Sequence, residues 1–212
     1  MRSLFGNNDK AAGTGARGER IPRHSSGWAQ LLTYLRSQES LRILDIGPTS
    51  SININYITNL GHSIYMANLA EEAARPEWLV SADPGEPPSF DVEGFIKTNL
   101  DFSGRMFDVV ILWDATDYLP EPLLAPLMAR LHEVMQPGGQ MLAFFHSKDT
   151  GPEAAFRRYH LTDKDMVEMQ LTGNQPLLHT LNNRQIEKLL ESFSGTRFFL
   201  AKDSLREVVV LR

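Results

Sequence analysis

The chain has 212 residues, 42% of them hydrophobic, enough for one well-buried domain of ordinary size rather than several. Lys and Arg number 21 against 26 Asp and Glu, and this net charge of -5 offers no basic footprint for nucleic acid. There is no cysteine, which excludes disulfides, thiolate metal sites and cysteine nucleophiles together.

Residues 1–24, opening "MRSLFGNNDKAAGTGARGER", carry positive charge but no apolar core and no periodicity, so they read as a disordered tail rather than a signal peptide. Residues 25–212 form the expected domain. Trp28, Leu31, Leu32 and Leu35 recur at helical spacing behind Ser25 and Ser26 as caps. "LRILDIG" is a short apolar run stopped by Gly and Pro, which suits a buried parallel strand. Ile54, Ile57 and Leu60 then mark a second helix, capped by Ser50 or Ser51 and ended by Gly61.

"HSIYMANL" reads as the second strand, and "PEWLVSADPGEPPSF" as an irregular surface connection. "EGFIKTNL" is expected to be the third strand and "FDVVILWD" the fourth, apolar on both sides as a sheet centre requires. A helix is expected over Glu121 to Met135, with Pro126 inside it calling for a late start or a kink. "QPGG" stops that helix and launches the fifth strand, "QMLAFFHS". A hairpin around the "TDKD" turn follows, then a helix capped by Asn182, then two strands joined at Lys202 to Ser204. Strands alternating with helices and finished by a hairpin describe an α/β sheet covered on both faces. Ligands bind such sheets beyond the carboxyl ends of the strands where chain order reverses. Here that rim carries Gly47 to Ser51, Asn68 and Asp114.

"RILDIG", "FDVVILWDATDYL" and "LHEVMQPGGQMLAFF", taken in this order, resemble the class I S-adenosylmethionine (SAM) dependent methyltransferases, in particular their small-molecule, type 11-like branch. The resemblance spans Trp28 to Arg212. It implies a Rossmann-like methyltransferase fold, a doubly wound, mostly parallel seven-stranded sheet with a terminal antiparallel hairpin. It also implies SAM as cofactor and a small molecule as methyl acceptor. Asp45 matches the family's acid at the end of the first strand, and Gly47 its first loop glycine. Thr49 and Ser51 stand where two further glycines are usual, with Pro48 between. Positive φ at the β-branched Thr49 would be costly, so either the loop follows a different path or it no longer grips the cofactor tightly. The hydroxyls of Thr49, Ser50 and Ser51 could instead hydrogen-bond a carboxylate or cap the helix.

By the same resemblance Asn68 takes the place of the ribose-binding acid, with Leu69 beside it and Glu71 and Glu72 close by. The adenine contact falls near Asn99, Leu100 and Asp101. Asp114, Tyr118 and His146 are the candidates facing cofactor and acceptor. The alternatives are a turn or cap for Asp114, a core aromatic for Tyr118 and a structural histidine for His146. The segment from Ser147 to His160 and the following hairpin could cover the acceptor as a lid. Arg157 and Arg158 there could pair with an acidic acceptor or stand in solvent.

His160 and His179 lack ligand spacing, so no metal site is expected. The apolar runs are strand-sized, so no membrane span is expected and the cytoplasm is the default compartment. No G-x-G-x-x-G, G-x-S-x-G or Walker loop occurs, which disfavours a dehydrogenase, a hydrolase and an NTPase. Two readings therefore stand: a SAM-dependent methyltransferase, or a methyltransferase-like pseudoenzyme serving as an interaction or regulatory module.

Overall fold

A computed structural model describes residues 18–81, 83, 85–149, 155–199 and 203–212. Strands β2 (Arg42–Ile46), β3 (Ser63–Ala67), β6 (Phe107–Trp113), β7 (Met135–His146), β10 (Gly195–Phe199) and β11 (Leu205–Leu211) build the central sheet. Their spatial order is β10-β11-β7-β6-β2-β3, with β11 antiparallel to both its neighbours, β10 and β7, and the remaining pairs parallel. This is the Rossmann-like methyltransferase arrangement, and the chain order reverses between β2 and β6. In β6, Val109 and Ile111 pack on one side and Val110 and Leu112 on the other, all fully buried, because helices cover both faces of the sheet.

The sheet has six strands rather than the expected seven. "EGFIKTNL", expected as the third strand, belongs instead to helix α4 (Val92–Asn99) and its C-cap Leu100. Asp91 caps it, its side chain accepting from the Gly94 N–H at 2.9 Å. Val92, Phe95 and Ile96 share one helical face, and Phe95 is fully buried against Trp78 and Phe90, with ring centroids 5.1 and 5.3 Å away. Aromatic packing on one side of a capped segment thus outweighs its weak strand pattern. The proline-rich stretch before it is also not wholly irregular. It holds a 3-10 turn at Pro76–Trp78 and a short ladder between β4 (Leu79–Val80) and β5 (Ser89–Phe90).

Residues 1–17 of the expected tail lie outside the described residues, but Arg20–His24 forms strand β1. It pairs with β9 (Met166–Leu171), which pairs in turn with β8 (Arg157–Leu161), so the expected hairpin is part of a three-stranded antiparallel sheet. Arg23 anchors β1, buried in ion pairs with Asp203 at 2.6 Å and with Glu207. This second sheet packs on the side of the central one covered by α1 (Ser26–Ser37) and α2 (Ser51–Asn59).

The other side is covered by α4, α5 (Glu121–Val134) and α6 (Asn183–Leu189), while α3 (Leu69–Ala73) follows β3. Helix α5 begins directly after Pro120 and runs through Pro126 without a break, so the late start is not seen. It passes straight into β7, so the Pro-Gly-Gly turn lies inside that strand, with Gly138 at φ 78°. At the final hairpin Lys202 lies outside the described residues. Among the described residues no helix is long and apolar enough to cross a membrane.

Candidate functional site

Helix α2 starts right after the first loop because Ser50, not Ser51, is its cap: the Ser50 hydroxyl accepts from the Asn53 N–H at 3.2 Å. The loop's substitutions cost nothing in backbone, since neither Thr49 nor Ser51 has positive φ. The left-handed residue at this rim is Trp113, with φ 48° at the end of β6, a costly conformation for a bulky side chain. Its indole lies against the loop. A Cβ added to Gly47 would stand 2.9 Å from Trp113 Cδ1, so the glycine makes room for a tryptophan.

The acid near the end of the strand that leads into the loop is fully engaged. Asp45 is 1% exposed, accepting from Trp113 Nε1 at 2.6 Å and Asn53 Nδ2 at 2.9 Å. Burial pushes its carboxyl up to about 6, against the downward pull of those two hydrogen bonds. Asn53 also fastens β8: its Nδ2 donates to the Tyr159 carbonyl at 3.1 Å and its Oδ1 accepts from the Leu161 N–H at 2.8 Å. Beside it, His160 Nδ1 meets the Ser50 hydroxyl at 2.8 Å and Nε2 meets Gln170 Oε1 at 3.0 Å. Gln170 Oε1 can only accept, which places the proton on Nε2 and leaves Nδ1 to accept from Ser50. Burial lowers the His160 pKa, in keeping with that neutral ring.

Asp114, Tyr118 and His146 lie together in an enclosed cluster. Asp114 caps nothing with its side chain; its Oδ2 accepts from the Tyr159 hydroxyl at 2.7 Å and lies 3.9 Å from His146 Nε2. Burial raises its carboxyl to about 6, with His146 and the Tyr159 hydroxyl pulling the other way. Asp117 Oδ2 accepts from both the backbone N–H of His146 at 2.6 Å and its Nδ1 at 2.9 Å. Tyr118 stands edge-on to His146 and to Phe156 at 5.9 and 4.8 Å, and burial raises its phenol. Tyr159 stacks on Trp113, with centroids 4.8 Å apart and planes 7° from parallel. Every one of these side chains is buried.

The outer rim is open. A hollow of about 380 Å³ is lined by Ala67, Asn68, Leu69, Arg75 and Asn99 among others. A second, of about 290 Å³, lies between Pro48 and Thr49, Asn68 and Glu71, and Phe156 and Arg158 of the covering segment. The two meet at Asn68, whose Nδ2 donates to Glu71 Oε2 at 2.6 Å while its buried Oδ1 has no partner. Asp45, Gly47 and Asp114 line neither hollow. Ser51 is exposed at the helix start. Leu100, expected near the adenine, is a fully buried core residue.

Sequence reasoning missed Asn53, Trp113 and Tyr159. Asn53 left a signal: it stands four residues before Ile57 on the buried stripe of α2, where a polar side chain requires partners.

No family model matches the chain, and no curated protein matches it. Among solved structures, a 1,6-didemethyltoxoflavin-N1-methyltransferase of Burkholderia thailandensis with S-adenosylhomocysteine bound is 11% identical, covering 89% of this chain and 79% of its own, at a TM-score of 0.45. A TehB-like SAM-dependent methyltransferase of Corynebacterium glutamicum is 12% identical over 88% and 87% of the two chains, at 0.48. The magnesium protoporphyrin IX methyltransferase of Synechocystis with S-adenosylhomocysteine bound is 14% identical over 87% and 81%, at 0.49. At such identities it is the strand order of this chain that identifies the fold.

Proposed function

We propose that this protein binds SAM at the rim around Asn68 and transfers its methyl group to a small molecule. The observation that carries the reading is Asn68 Oδ1, a buried acceptor without a partner where two hollows meet. Because Nδ2 already donates to the Glu71 carboxylate, the oxygen is the atom left to accept from a ribose hydroxyl. Asn99 lines the same hollow on the side where the family resemblance puts the adenine.

SAM, when bound, supplies an electrophilic methyl group on a sulfonium, and what such a reaction asks of the protein is positioning and exclusion of water. Asn68 orients the nucleoside, while Phe156 and Arg158 cover it. His146 and Asp114 are enclosed, so the reading assigns them no proton transfer with the acceptor in this arrangement.

Calorimetric titration with SAM and with S-adenosylhomocysteine tests the reading. We expect saturable binding that Asn68→Ala weakens by about tenfold, the scale of one hydrogen bond left unmade. Absence of binding of either ligand at millimolar concentration would overturn it. A second reading, a non-catalytic interaction module, is favoured by a separate observation: Trp113 occupies the space beside Gly47, with Tyr159 stacked on it.

A further inference from the structure

The rim has room for a nucleoside, while the crevice behind it is filled. Its filling is pinned on every side. The Trp113 indole donates to Asp45, the Tyr159 hydroxyl donates to Asp114, and the Tyr159 carbonyl accepts from Asn53. Phe144 stands edge-on to both rings, each at 5.5 Å. Asp45 and Asp114, the charged groups that a zwitterionic amino-acid tail would seek, already accept hydrogen bonds from within the protein. Neighbouring residues of β8 serve the two regions. Arg158 lines the outer hollow and Tyr159 points into the filled crevice, as alternation along a strand dictates.

We infer that Trp113 and Tyr159 set the length of ligand the site accepts: with the two rings stacked it takes an adenine nucleoside, and the amino-acid tail of SAM enters only when the stack gives way. The inference rests on the proposed nucleoside rim at Asn68. The left-handed backbone at Trp113 fits a gate, because its strain persists only while the surrounding contacts hold the ring in place.

Calorimetry with two probes tests it on the full chain. 5′-Methylthioadenosine has the nucleoside and the sulfur but no tail, whereas S-adenosylhomocysteine has both. In the wild type the two should bind within about threefold of each other. In Trp113→Gly, which removes the ring and suits the positive φ, S-adenosylhomocysteine should gain about tenfold or more while 5′-methylthioadenosine stays within about threefold. Tyr159→Leu should act in the same direction, and circular dichroism checks that each variant is folded.

If wild-type protein already prefers S-adenosylhomocysteine by more than about tenfold, the tail is accommodated and the gate is refuted, while the methyltransferase reading stands. If neither probe binds wild type or variants, both are refuted. The wild-type ratio decides even if neither variant folds.

Discussion

Asn53 joins the first loop, the helix after it and the strand that covers both, so its removal should loosen the site from one point. Asn53→Ala leaves three buried groups short of a partner: Asp45 Oδ2, the Tyr159 carbonyl and the Leu161 N–H. Buried groups left unsatisfied cost about 1–3 kcal/mol each, the charged one at the upper end. Water entering the gap recovers part, so about 4 kcal/mol of lost stability is expected in total. With a urea slope of about 2.5 kcal/mol/M, the midpoint should fall by about 1.6 M. Unfolding followed by far-ultraviolet circular dichroism and by tryptophan fluorescence measures this. Asn55→Ala, at an exposed position of the same helix, is the control and should stay within about 0.5 kcal/mol. A midpoint shift for Asn53→Ala below about 0.4 M, with unchanged slope, would refute the reasoning, because β8 would then not depend on this amide.

The pH dependence is set in part by Asp45 and Asp114, whose carboxyls rise from 3.8 to about 6 on folding. The folded state then binds more protons than the unfolded one, so their contribution is present below about pH 4, is lost as pH rises towards 6, and is constant above. At about 1.4 kcal/mol per unit, each accounts for up to about 3 kcal/mol. Comparing urea midpoints at pH 7 and 5 should show Asp114→Asn gaining less on acidification than the wild type; equal gains would exclude a raised carboxyl there. Arg23→Met removes the partner of Glu207, which is 2% exposed, and should cost about 3–5 kcal/mol in the same assay. Deleting residues 1–24 should be at least as damaging, since it removes β1 entirely, and an unchanged melt would refute the anchoring role of that strand. Gly47→Ala forces the Trp113 ring to move and should cost about 1–3 kcal/mol, with a changed tryptophan emission.

The alternation of strands and helices was legible because it is written in local periodicity. "FDVVILW" announces a strand buried on both faces, and the sheet centre lies there. Where the pattern was short, the distant context prevailed. "EGFIKTNL" reads as a strand only if Asp91 and Val92 are left out; with them, a capped helical face appears, and Trp78 and Phe90 complete it. The N-terminal tail reading ran five residues too far along, because "RIPRH" has no alternation of its own and is a strand through its pairing with β9. The loop's missing glycines do not mark where the backbone is strained. Thr49 and Ser51 sit in ordinary backbone, and the positive φ lies across the crevice at Trp113.

The sequence by itself determined most of the alternation of strands and helices, the covered α/β sheet and the rim on which Gly47, Asn68 and Asp114 fall, since each follows from residues near one another in the chain. Only the tertiary structure decided which of them face outward. Burial depends on what the rest of the chain brings to a position, and here β8 brings Tyr159 against Trp113 from 46 residues further along. That contact encloses Asp45 and Asp114 and leaves Asn68 open, because a filled crevice can satisfy its acids from within while the end of an edge strand keeps an unpaired acceptor.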